Sequence, residues 1–317
     1  LAERFLGVEL GAALLKVVLL ERGQDGYQLL AAGVGETPAG AVTGGRVLHP
    51  DAVAKALRGL LKKTKVTQKK CVLALGKQSV TLRTAVLPAM PERELREAVR
   101  WEAQKHLHFP LEDAVVDYTG ARKINDADGE KIEVYLAAVH KEVVYGYLEA
   151  ASRAGLNALA ADAETFALYR LLMHLNNAPG AGGQKPEYNG AQVCLLLDAG
   201  VEASNILLVE GARLGFQRVV PLSYSADPED LSREVQRSVD YYFYNSRERE
   251  GQLRQVWLAG AGSANGQLLA RLREDLEIEP QVLNPFAYMN TQRKLDSSEL
   301  ANTAPHLTVA CGLALRG

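Results

Sequence analysis

Val193-Cys194-Leu195-Leu196-Leu197-Asp198-Ala199-Gly200 runs on through Val201-Glu202-Ala203 into Ser204-Asn205-Ile206-Leu207-Leu208-Val209. This stretch decides the fold, because the chain uses the same pattern near its start. There it reads Phe5-Leu6-Gly7-Val8-Glu9-Leu10-Gly11-Ala12-Ala13, then Leu14-Leu15-Lys16-Val17-Val18-Leu19-Leu20. Each copy is an apolar strand, a carboxylate, one spacer, a glycine, a short turn and a second apolar strand. A third strand candidate follows each, at residues 26–32 and 214–221. Alone, either copy is an ordinary β-hairpin with glycine at its turn. Repeated in the same order, one per half of the chain, they predict two hairpins facing each other across a nucleotide clamp.

The chemistry of such a clamp is specific. A glycine lets backbone N–H groups approach phosphate oxygens, and a carboxylate at the strand end orients metal-bound water. Glu9 and Asp198 are therefore the candidate magnesium-side carboxylates, acting through water. Lys16 interrupts the apolar row of Leu14 and Val18, and either reaches a phosphate as a point charge or faces solvent. Asp162-Ala163-Glu164 opens a helix directly after a strand. Asp198 and Glu164 are the candidate catalytic groups, placed to orient an attacking water, with helix capping as the competing reading of the 162–164 segment. Gly260-Ala261-Gly262 joins a strand to a helix, and such a loop admits a flat base or a phosphate.

Between the hairpins the chain divides by composition. At 317 residues two domains or two lobes are expected. After the first three strands a helix is predicted over residues 51–62, capped by Asp51, and a buried strand over 71–76, giving β-β-β-α-β. From Lys77 the pattern changes to strand, helix, two strands and helix, a small α+β insert ending at Gly155. Its first helix starts with Pro91 at N1 and carries Leu95, Val99, Ala103 and Leu107 on one stripe. A binding scaffold, the role that the resemblance described below implies, would use that stripe beside the strand at 80–86 as one wall of a peptide groove. A turn is predicted at 126–129, a linker at 176–183, helices over 227–249 and 267–276, and a last apolar helix over 303–315.

Composition excludes several classes. A 47% apolar and 23% charged chain of net charge −2 is an ordinary globular protein without bulk attraction to nucleic acid or anionic lipid. No apolar run reaches transmembrane length and no signal-peptide pattern is present. The chain opens at Leu1, and residues upstream of it are expected. Cys71, Cys194 and Cys311 lie in apolar runs and read as buried reduced thiols. The histidines have no metal-ligand spacing; His106 and His108 do not share a helical face.

Longer motifs carry a resemblance. The paired hairpins, the segment from Glu97 to Glu112 containing Arg100-Trp101-Glu102-Ala103 and Phe109-Pro110-Leu111-Glu112, the 162–168 segment beginning Asp162-Ala163-Glu164, Leu283-Asn284-Pro285-Phe286 and the ending from Val309 to Gly317 together resemble the PilM family of type IV pilus assembly proteins. These are relatives of FtsA with an α/β actin-like ATPase (RNase H-like) fold. The resemblance implies two lobes with an inserted 1C-type subdomain: 1–76 as the first half of lobe 1 (1A-type), 77–155 as the insert, 156–188 returning to lobe 1 and 189–317 as lobe 2 (2A/2B-type). It implies a cytoplasmic scaffold, peripheral at the inner membrane. Its groove beside the insert would bind the N-terminal cytoplasmic peptide of a PilN-like membrane protein, and it would contact the pilus motor ATPase machinery. It further implies ATP and magnesium between the lobes. Glu9, Gly11, Ala12, Ala13 and Lys16 would face the phosphates from one lobe and Asp198 and Gly200 from the other. Gly260 and Gly262, with Glu234 and Arg237, would flank the adenosine.

Two departures weaken the nucleotide expectation. The first turn has Ala12 and Ala13 where the family carries serine hydroxyls, and Glu202 brings a negative charge beside the second. At about 4 Å such repulsion is about 4 kcal/mol at an effective dielectric of 20. ATP binding is therefore expected to be weak or absent, and hydrolysis slow. The alternatives are a GspL-like cytoplasmic domain of type II secretion and an actin-superfamily small-molecule kinase; the latter lacks a sugar-binding cluster here.

Overall fold

Near-continuous apolar strands govern both halves of the protein. In the computed structural model, residues 3–24, 26–126, 129–177, 192–225, 228–245, 252–291 and 297–316 are described. The first half runs β1 (Glu3–Leu10), β2 (Leu14–Gly23), β3 (Gly26–Glu36), the two-residue strands β4 (Val42–Thr43) and β5 (Arg46–Val47), α1 (Pro50–Lys63) and β6 (Lys70–Leu75). Then come β7 (Val80–Pro88), α2 (Glu92–Gln104), β8 (Ala114–Asp126), β9 (Gly129–His140), α3 (Lys141–Arg153), β10 (Asn157–Ala163) and α4 (Glu164–Asn177). The second half runs β11 (Gln192–Ala199), β12 (Ser204–Glu210), β13 (Arg213–Val220), α5 (Pro228–Asn245), β14 (Gln252–Ala259), α6 (Gly266–Leu276), β15 (Gln281–Val282), β16 (Asn290–Thr291), α7 (Ser297–Thr303) and α8 (Thr308–Ala314).

The repeat seen in the sequence is a repeat of topology. One sheet is ordered β10-β6-β1-β2-β3-β16 and the other β15-β14-β11-β12-β13. In each, an antiparallel meander continues into parallel strands. Both faces of both sheets are covered, which is why their strands read as near-continuous apolar runs. Val193, Leu195 and Leu197 pack outward with α5 and α6, whereas Cys194 and Leu196 face inward. The inner layer is α4 and α8, and one core joins Val18, Leu20 and Leu29 of the first sheet to Leu196, Leu207 and Val209 of the second. Leu6, Val8 and Leu10 pack outward with α1 and α3.

The third sheet, β7-β9-β8, builds its own core. Here the stripe on α2 has a different role from the one expected. Leu95, Val99 and Ala103 are buried against Ile132, Val134, Leu136 and Ala138, so they seal one face of this sheet and offer nothing to a peptide. Helix starts also differ in detail. His49 is the N-cap of α1, Pro50 enters its first turn, where a missing N–H costs nothing, and Asp51 follows inside the helix. Pro91 is the N-cap of α2 and not its first residue. The terminal helix is split into a 3-10 turn at Ala304–Leu307 and α8. Of the linker predicted over 176–183, Asn176 and Asn177 instead end α4; its remaining residues, residues 127–128 of the turn predicted over 126–129, Asp227 and the extension of α5 over 246–249 lie outside the described residues.

Cys71, Cys194 and Cys311 are buried. Burial pushes the Cys71 thiol up to about 12 and raises Cys311 as well. Thiol–disulfide exchange requires the attacking thiolate, so at pH 8 folded protein is expected to show no fast-reacting thiol with a chromogenic disulfide, against three in guanidinium. One fast equivalent in native protein would refute this.

Candidate functional site

Strand register places the two repeated carboxylates equivalently. Glu9 lies opposite Lys16 on β2 and beside Ala74 on β6. Asp198 lies opposite Asn205 on β12 and beside Ala259 on β14. Both stand at the carboxyl ends of parallel-paired strands, the edge where α/β sheets bind ligands, and a cleft opens between them. Of the residues expected there, it gathers Glu9, Gly11, Ala12, Ala13, Lys16, Glu164, Asp198, Gly200 and Gly260, and it adds Lys77, Glu202 and His306. Three expected members stand elsewhere. Gly262 is packed against Ala199 and Tyr224. Glu234 lies on α5, 3.0 Å from Arg218, and Arg237 pairs with the same glutamate.

The turn glycines have a local explanation. The Gly11 N–H donates to the Leu14 carbonyl at 3.1 Å, and a Cβ at Gly11 would come within 2.8 Å of that same oxygen. A Cβ at Gly200 would likewise strike the Ala203 carbonyl. The tight turn itself therefore demands glycine in both hairpins. Gly260 adopts φ 77°, and a Cβ there would meet Asp198 Oδ1 at 2.6 Å, so the loop after β14 passes directly over the carboxylate.

Charge in the cleft is paired internally. Lys16 Nζ donates to Glu9 Oε1. Lys77 Nζ donates to Asp198 Oδ2 and stands 3.3 Å from Glu164 Oε2, while the Lys77 backbone N–H donates to Glu164 Oε1 at 3.3 Å. The three carboxylates are only 5–6% exposed. Burial pushes Asp198 upward, but Lys77 and then Lys16 overcome it and hold its pKa below the ordinary value. Burial works against the Lys77 ammonium too, and Asp198 and Glu164 outweigh it, so Lys77 is raised. Glu9 is driven up to about 7, by burial first, against the pull of Lys16, with Glu164 and Asp198 adding to the rise. Its Oε2 is buried without a partner. Glu202 reaches the first half of the chain, accepting from the Gly44 N–H at 3.0 Å.

Magnesium and a nucleoside triphosphate do not fit the residues in this arrangement. Glu9 and Asp198 each hold an ammonium where a hydrated metal would be needed. Among the described residues no group of His, Cys, Asp and Glu is arranged to hold a metal ion. The free volume of the cleft is about 90 Å³, against about 300–1,000 Å³ for typical ligand pockets. Lys77 was missed in the sequence because the composition change there marks a boundary. Its signal was its place just past β6, at the edge that Glu9 and Asp198 define.

A second cavity, of about 310 Å³, lies between the first sheet and the face of the three-stranded sheet turned away from α2. Leu75, Val80, Val115, Ala137, Val139 and Phe166 give it an apolar lining. Asp162 marks its polar end, accepting from Arg170 at 2.8 Å and lying 3.0 Å from Arg316. Asp162 thus faces this groove and Glu164 faces the cleft, although they are two residues apart.

The profile of the family described as Type IV pilus assembly protein PilM matches residues 7–221 and 227–317. Among solved structures, the chain is similar to one described as a PilM-PilN type IV pilus biogenesis complex, at 29% identity and a TM-score of 0.83, with 98% of each chain covered. It is also similar to the ethanolamine utilization protein EutJ from Carboxydothermus hydrogenoformans, at 14% identity and a TM-score of 0.50 over 99% of this chain and 90% of that one. A Bacteroides thetaiotaomicron protein with an actin-like ATPase fold and unknown function matches at 14% identity and a TM-score of 0.50, over 90% and 92%. The last two speak to the fold alone, which is the actin-like ATPase fold. With the family profile spanning nearly the whole sequence, the chain belongs to the PilM family of type IV pilus assembly proteins.

Proposed function

We propose that this protein is a cytoplasmic scaffold of type IV pilus assembly. It binds the N-terminal cytoplasmic tail of a PilN-like inner-membrane protein and is held at that membrane through it. The observation that carries this reading is the apolar groove between the first sheet and the β7-β9-β8 sheet, in a chain similar over 98% of its length to one from a PilM-PilN complex. Residues 77–155 serve as the inserted 1C-type subdomain, between 1–76 and 156–188 of lobe 1, with 189–317 as lobe 2. The scaffold also contacts the pilus motor ATPase machinery. Nucleotide binding is weak or absent in this reading, since the cleft lysines already neutralise the carboxylates a metal would use.

The groove suits an extended peptide with apolar and polar side chains, because Leu75, Val80, Val139 and Phe166 line it together with Asp117, Thr119, Asp162, Arg170 and Arg316. A fluorescent peptide of the N-terminal tail of a PilN-like protein is expected to bind in an anisotropy titration. Ala137→Arg, which puts a long charged side chain into the groove, is expected to weaken binding more than about tenfold, or about 1.4 kcal/mol. Trp101→Ala, on the exposed face of α2, is expected to leave it unchanged. Equal affinity in Ala137→Arg and wild type would place the peptide elsewhere.

A further inference from the structure

We infer that Lys77 is the resident cation of the cleft: its ammonium stands between Asp198 and Glu164, where a divalent ion would have to sit, so the cleft joins its lobes without a metal. The inference rests on the cleft and not on the proposed peptide groove.

Three observations meet at this residue. The first is position. Lys77 follows β6 in the first half, Asp198 ends β11 in the second, and Glu164 begins α4 between the sheets. One ammonium therefore bridges elements from both halves, as a metal ion between two carboxylates would. The second is burial. The side chain of Lys77 is 13% exposed and its partners 7–8%. A lysine so enclosed loses much of its hydration, which is recovered only through direct carboxylate contacts. Those contacts are present on two sides, and the Lys77 backbone N–H fixes Glu164 as well. The third is the state of the other carboxylate. Glu9 is taken by Lys16, so it cannot complete a metal site with Asp198.

A tethered cation differs from magnesium in a way that can be measured. It cannot be removed by a chelator, and it carries a single charge that cannot be shared with a chain of phosphates. The cleft is thus expected to ignore divalent ions. Removing the ammonium should leave two adjacent carboxylates free to take a hard cation through oxygen ligands.

The test is manganese binding followed by electron paramagnetic resonance, with Mn²⁺ alone and no nucleotide. Wild type is expected to show no saturable site below about 1 mM. Lys77→Met is expected to gain one, which Asp198→Asn in the same background then removes. Lys77→Gln, which keeps a polar end in the cleft, replaces Lys77→Met if the latter does not fold. Saturable binding in wild type that Asp198→Asn abolishes would overturn the inference, even with no Lys77 variant in hand. So would a folded Lys77 variant with no gain, because the lysine would then be filling no metal position.

Discussion

Gly312→Val is expected to cost about 3 kcal/mol or more of folding stability, and so to remove most of the soluble protein at 37 °C. The cause is a backbone contact that no side-chain movement can relieve. α8 lies across α4 in the layer between the two sheets, and a Cβ at Gly312 would run into the carbonyl of Ala167. Gly7 serves the other side of the same helix, since a Cβ there would strike the Ala310 carbonyl and crowd Leu313. α8 is therefore pinned between β1 and α4 by two glycines, and its residues from Thr308 to Ala314 are all buried. Overpacking normally costs about 1–3 kcal/mol when neighbours can shift; main chain on both sides leaves little room to shift. Gly59 supplies the contrast. It sits on α1 with nothing within 4 Å of a built Cβ, and Gly59→Ala is expected to stabilise by about 0.4–1 kcal/mol. Urea unfolding of both variants decides the matter, and a loss below about 1 kcal/mol in Gly312→Val would show that α8 has slack.

The same glycines show what was legible beforehand. Gly7 and Gly312 are silent in the sequence, because each is defined by a helix or strand far along the chain. Local regularities speak clearly. Near-continuous apolar runs in 193–199 and 204–209 announce strands buried on both faces, and recurrence near the N-terminus announces a duplicated sheet. Strand register then follows from the tight turns, so Glu9 and Asp198 fall at matching positions. Partners across the cleft do not follow from anything local. Lys77 pairs with Asp198 at a separation of 121 residues, and only the closure of the two halves brings them together. The groove was misjudged for a related reason. An amphipathic stripe such as Leu95, Val99 and Ala103 declares that it will be buried, not against what, and the nearest sheet face claimed it. Glu234 and Arg237 were placed by family resemblance, whereas their nearest charges are Arg218 and each other.

Replacing Lys77 by methionine is expected to cost about 3–5 kcal/mol at neutral pH, the usual penalty for deleting one partner of a buried ion pair. The size follows from what is left behind: Asp198 and Glu164, both nearly inaccessible and both aimed at the vacated ammonium position. In the wild type Asp198 has a pKa below the ordinary value, because Lys77 and Lys16 outweigh its burial. A carboxylate lowered on folding adds stability above its unfolded pKa of about 3.9 and loses it only as pH falls through the folded value. Between pH 5 and pH 7.5 the wild-type contribution of Asp198 is therefore steady, while Glu9, raised to about 7, lowers stability over that window and is carried by both proteins. Lys77→Met reverses the balance. With the ammonium gone, burial and the neighbouring carboxylate both favour the protonated acid, so the folded variant takes up a proton that the unfolded chain does not. Its stability then falls as pH rises above the unfolded value, and its deficit against wild type is larger at pH 7.5 than at pH 5. Urea midpoints of the two proteins at those pH values measure it. A deficit that is the same at both would mean that Asp198 and Glu164 find water or another cation when Lys77 leaves, and that the cleft is not held shut by this pair.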